Sequence, residues 1–88
     1  MTRPEAAYWL DGERWPLVQW LRRWRELLET APPGDIERLW TDPRHVEARK
    51  QVRFDTRYDP GVMRALGEAA AVAERRSGVP LRLNRRRR

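Results

Sequence analysis

In LVQWLRRWRELLE, residues 17 to 29, apolar side chains recur at spacings of three and four. Leu17, Trp20, Leu21, Trp24, Leu27 and Leu28 therefore share one stripe of a helix, and Arg22, Arg23, Arg25, Glu26 and Glu29 take the other face. Before it, AAYWLDGERWP, residues 6 to 16, sets apolar residues on both sides of Asp11-Gly12. That dipeptide accepts the positive φ angles of a tight turn, so the pattern predicts a short hairpin closing near Pro16. TAPPGD, residues 30 to 35, stops the helix, because two prolines and a glycine cannot continue it.

Asp35 then caps a short helix over IERLW, and Asp42-Pro43 opens another through RHVEARKQ, residues 44 to 51, with Val46 and Ala48 inward. In QVRFDTRYD the period changes to two. Val52, Phe54, Thr56 and Tyr58 point one way and Arg53, Asp55 and Arg57 the other, which predicts a strand with one buried face. Asp59-Pro60 starts a further helix whose Val62, Met63, Leu66, Ala69, Ala70 and Ala73 form a narrow apolar stripe, ending at Ser77-Gly78. Gly67 inside it suggests close packing against a neighbour.

VPLRLN alternates again, and a last strand pairing with residues 52 to 58 is expected. The sum is a single small α+β domain over residues 1 to 84, with an N-terminal hairpin, two or three helices, and a strand-helix-strand unit over a small sheet. Residues 85 to 88 form a basic tail.

Composition changes this picture in two places. A chain of 88 residues buries only about 60–65% of its unfolded surface, so the five tryptophans are expected to do much of the packing. Trp20 and Trp24 belong to the core stripe, whereas Trp9, Trp15 and Trp40 flank turns and are the candidates for exposed partner-binding aromatics. No apolar run approaches the roughly 18 residues of a membrane span, and the first residues lack the apolar stretch of a signal peptide, so the cytoplasm is the default compartment.

The candidate chemistry is sparse. Without cysteine there is no thiolate and no zinc-thiolate site; one histidine, four threonines and one serine give little from which to assemble a nucleophile and its base. His45 falls in the first turn of a polar helix and is expected at the surface. Asp42, Asp55 and Asp59 would hold magnesium only if they converged, and capping already accounts for Asp59. The reading is non-enzymatic, with no metal and no cofactor.

Charge points elsewhere. The net charge is +6, of which Arg85, Arg86, Arg87 and Arg88 supply 4, leaving 6 − 4 = +2 for the rest. The leading expectation is a small nucleic-acid-associated protein, to DNA or RNA, with Arg75, Arg76, Arg82 and the four terminal arginines on phosphates, and Arg53 and Arg57 as contacts from the folded body. The alternative is an adaptor that docks an acidic protein surface through tryptophan and arginine.

Residues 52 to 81, VRFDTRYDPGVMRALGEAAAVAERRSGVPL, resemble the first two thirds of a ribbon-helix-helix repressor or antitoxin, with an alternating strand, a capped helix and a closing turn. The resemblance implies a homodimer whose paired strands enter the DNA major groove. Arg53, Asp55 and Arg57 would face the groove, and Val52, Phe54 and Tyr58 would form the dimer core. The likeness covers about a third of the chain and stops before that family's second long helix.

Overall fold

A computed structural model describes residues 6 to 81. The predicted hairpin is present: β1 (Ala7–Leu10) pairs antiparallel with β2 (Glu13–Pro16), with Leu10 opposite Glu13 and Tyr8 opposite Trp15. Asp11 and Gly12 turn the chain with φ of 52° and 89°, the two positive angles whose twist matches that of the flanking strands. Tyr8 and Leu10 face the core.

Helix α1 (Leu17–Thr30) follows directly and buries Trp20, Trp24 and Leu28, one residue per turn, against the hairpin and α4 (Pro60–Ser77). Pro32 and Pro33 end α1, and its free terminal carbonyls find a partner from outside. Arg76 Nη1 donates to Leu28 O at 2.9 Å and to Ala31 O at 2.6 Å. Helix α2 (Pro33–Thr41) starts earlier than the pattern suggested. Proline takes its first position, and Asp35 sits inside the first turn, paired with Arg38, instead of capping it.

The main correction concerns residues 52 to 58. The helix opened by Asp42, α3 (Pro43–Asp55), runs through Val52 and Phe54, so the predicted strand is absent. Its buried side chains are His45, Ala48, Arg49 and Val52, spaced as i, i+3, i+4 and i+7. Two of these four are basic, which hid the helical stripe and left the local alternation of RFDTRYD as the louder signal. Val46, expected inward, is exposed. A lone strand here would also have left its backbone groups without a ladder, whereas the helix satisfies them internally.

Thr56, Arg57 and Tyr58 turn the chain into α4. The Tyr58 N–H returns to Arg53 O at 2.9 Å and the Arg57 N–H to Phe54 O at 3.0 Å, closing the end of α3. Of the three predicted aspartate caps, the two that precede a proline are formed: Asp42 Oδ1 accepts from Arg44 N at 2.8 Å, and Asp59 Oδ2 from Val62 N at 3.1 Å. Ala69, Ala70 and Ala73 let α4 lie close to its neighbours. A methyl group at Gly67 would meet nothing within 4 Å, so packing does not account for that glycine.

Gly78, at φ 76°, ends α4. Val79 to Leu81 continue without joining a sheet, although Leu81 is buried, so the second predicted strand does not form within the described residues. Their only sheet is the hairpin.

Candidate functional site

The tryptophans proposed as exposed anchors lie mostly inside. Trp40 is buried, stacked on Trp24 at 5.9 Å, and covered by the Arg49 guanidinium 4.0 Å from its ring centre. Trp9 is half-buried between His45, at 5.0 Å, and the Arg44 guanidinium, at 4.8 Å, beside a groove of about 580 Å³ between β1 and α3. Trp15 is half-buried under Arg23 at 4.1 Å. The expectation that turn-flanking tryptophans are exposed is corrected, because each is capped by an arginine or enclosed by other rings.

The exposed aromatics stand elsewhere. Phe54 is 68% and Tyr58 58% exposed, one in the last turn of α3 and one in the turn after it. They alternate with two arginines, Phe54 following Arg53, half-buried, and Tyr58 following Arg57, exposed. Neither arginine forms an ion pair among the described residues. The two acids of the segment are exposed but engaged: Asp55 accepts from the Tyr8 hydroxyl at 3.1 Å and from Gln51 at 3.3 Å, and Asp59 is the α4 cap. Burial pushes the Tyr8 phenol above its ordinary value, and the bond to Asp55 adds to this.

The sequence pattern missed Phe54 and Tyr58 as surface residues because it placed them on a buried strand face. Continuing the helical register from His45, Ala48, Arg49 and Val52 would have put Phe54 off the buried stripe. Arg57 and Tyr58 also carry φ of 55° and 58°. For side chains other than glycine this left-handed region costs about 1–2 kcal/mol per residue. Arg57→Gly or Tyr58→Gly is therefore expected to stabilise the fold by about 1 kcal/mol after glycine's own entropic cost, raising the melting temperature by about 4–8 °C. A lowered melting temperature for both variants would show that these side chains contribute more to the fold than their backbone strain removes.

The other predicted contacts separate. Arg75 is exposed at the end of α4, while Arg76 is committed to the carbonyls that end α1. Arg82, Arg85, Arg86, Arg87 and Arg88 lie outside the described residues. Asp42, Asp55 and Asp59 do not assemble; among the described residues no group of three or more acids and histidines is placed to hold a metal ion. No helix there is long and apolar enough to cross a membrane.

Beneath this surface lies an aromatic and cationic core. Trp20, Trp24 and Trp40 stack in sequence, and His45, expected at the surface, is 4% exposed and packed on Trp24 at 5.1 Å. Neither of its ring nitrogens closes a hydrogen bond. Burial lowers its pKa from the ordinary histidine value; Asp42 opposes that shift and Arg49 reinforces it. His45 is packed between the rings of Trp9 and Trp24. Arg49 is 8% exposed and donates Nη2 to Trp40 O at 2.8 Å, but its Nη1 has no partner. Its burial, with Arg53 nearby, brings its pKa down to about 10.

Comparison of the chain with protein-family models, with curated proteins and with solved structures gives no match.

Proposed function

We propose that this protein associates with single-stranded nucleic acid through the turn between α3 and α4, aided by the arginine run at residues 85 to 88. The observation that carries the reading is a pair of exposed aromatics, Phe54 and Tyr58, interleaved with Arg53 and Arg57, where the neighbouring acids Asp55 and Asp59 already accept hydrogen bonds from the protein. Aromatic faces stack bases of any identity at about 1–3 kcal/mol each, and arginines beside them hold the backbone. The left-handed backbone at Arg57 and Tyr58 supports the same reading: glycine would be less strained there, yet two large side chains occupy the positions.

The two parts play different roles. The folded body is only mildly basic, so the tail supplies most of the phosphate neutralisation and the turn supplies stacking. Fluorescence anisotropy with labelled single-stranded and duplex oligonucleotides across a salt series separates them. Ending the chain at Asn84 should lower the log–log salt slope for single strands by up to about 3, the amount for four lost phosphate contacts. Phe54→Ala with Tyr58→Ala should leave that slope unchanged and weaken single-strand binding by about 10- to 100-fold at every salt concentration. Binding by this double variant equal to that of the parent would remove the turn from the site. No binding by the full chain at low salt would favour a protein partner for the same exposed residues.

A further inference from the structure

Between α2, α3 and α4 runs a groove of about 630 Å³ that shares Arg53 with the nucleic-acid surface and otherwise lies outside that reading. Its volume falls within the range of small-molecule sites, about 300–1,000 Å³. Trp40, Met63, Leu66 and Leu81 give it an apolar lining, and Arg49 and Arg53 are its charged members. No aspartate or glutamate lines it among the described residues.

Arg49 gives the groove its chemical character. A guanidinium removed from water needs an anion or a full set of acceptors, since an uncompensated buried charge is strongly disfavoured. Here it has one carbonyl, Trp40 O, and the faces of Trp40 and Trp24 at 4.0 and 5.4 Å. Nη1 is buried without an acceptor, and no acid among the described residues pairs with the side chain. The fold has placed a permanent cation at an apolar groove and left part of its hydrogen-bonding capacity unused.

We propose that this groove binds a small amphipathic carboxylate, an apolar chain or ring ending in one carboxylate, with Arg53 receiving the head group over the buried charge of Arg49. A single carboxylate on the half-exposed Arg53 brings one negative charge to two guanidiniums, with the buried, incompletely bonded Arg49 supplying its charge from beneath the groove wall. A doubly charged phosphate monoester would have to shed far more hydration beside Met63, Leu66 and Leu81. Gly67 also fits this assignment. It lines the groove on a buried helix, and the space a side chain would take is open.

The probe is sodium decanoate, titrated below its micelle concentration into the full chain in a calorimeter, with decanol as the uncharged match. Decanoate is expected to bind one to one and decanol at least tenfold more weakly. Arg53→Met, at a half-exposed position that can change without opening the core, should weaken decanoate by about tenfold and leave decanol unchanged. Gly67→Leu fills the groove from a position where an added Cβ meets nothing within 4 Å and with improved helix propensity, so it should fold normally by circular dichroism and bind neither probe. Equal affinity for decanol and decanoate, or decanoate binding undiminished in Gly67→Leu, would overturn the proposal. Oligonucleotide binding by Gly67→Leu should match the parent, so failure of the groove and failure of the nucleic-acid surface give different results.

Discussion

Trp24→Ala is expected to lower the stability of the fold by about 3–5 kcal/mol. Trp24 is 1% exposed and forms the middle of the stack, 6.0 Å from Trp20 and 5.9 Å from Trp40, with the His45 ring at 5.1 Å and the Arg49 guanidinium at 5.4 Å. Replacing such a side chain by alanine costs about 3–5 kcal/mol, part lost transfer energy and part the cavity that remains. At about 0.05–0.15 kcal/mol per residue, a domain of this length holds only about 4–13 kcal/mol in total. The lower part of that range is consumed by one substitution.

Trp24→Phe is expected to cost much less than its lost volume suggests. The indole Nε1 is buried with no hydrogen-bond partner, so deleting it recovers part of the roughly 1–3 kcal/mol penalty of an unmade bond. Urea denaturation followed by circular dichroism tests both variants. An alanine variant within about 1 kcal/mol of the parent would falsify the placement of Trp24 at the centre of the core.

The same core explains which features were legible in the sequence. The hairpin announced itself through Asp11-Gly12, α1 through leucine and tryptophan at helical spacing, and the starts of α3 and α4 through aspartate followed by proline, because each signal is local and each is satisfied locally. The second half of α3 was not legible. A histidine and an arginine hold two of its four buried positions, and both are buried only because Trp9, Trp24 and Trp40, from other elements, present ring faces to them. No pattern within α3 carries that information.

This error propagated to the candidate site. A helix ending at Asp55 turns Phe54 outward and forces a turn at Arg57 and Tyr58, whereas a strand would have buried both aromatics. It also replaces the strand on which the ribbon-helix-helix resemblance rested. The sequence singles out Arg53 and Arg57 as the polar face of a strand, but the exposed rings that give them a stacking role depend on the helix.

Acid should weaken this fold in two separable windows, the first set by His45. Burial lowers its pKa in the folded chain, while the unfolded chain titrates near the ordinary value of about 6.5. Between those two values the unfolded state binds more protons, so stability rises with pH. The stabilisation is fully present above about pH 6.5 and is lost as pH falls through the folded value, at up to about 1.4 kcal/mol per pH unit. Asp42 acts lower down. The hydrogen bond from the Arg44 side chain, then that from the Arg44 backbone, lowers its carboxyl below the ordinary 3.8, so its contribution disappears only as pH falls below that value. His45→Phe should distinguish the two, because it offers Trp9 and Trp24 another ring while removing both the titration and the unpartnered nitrogens. Urea midpoints from pH 7 to 4.5 should fall for the parent and stay nearly flat for the variant, with both falling together below pH 4. A parent midpoint that stays level down to pH 4.5 would mean that the imidazole reaches water or a partner on protonation, and that its burial is not what it contributes.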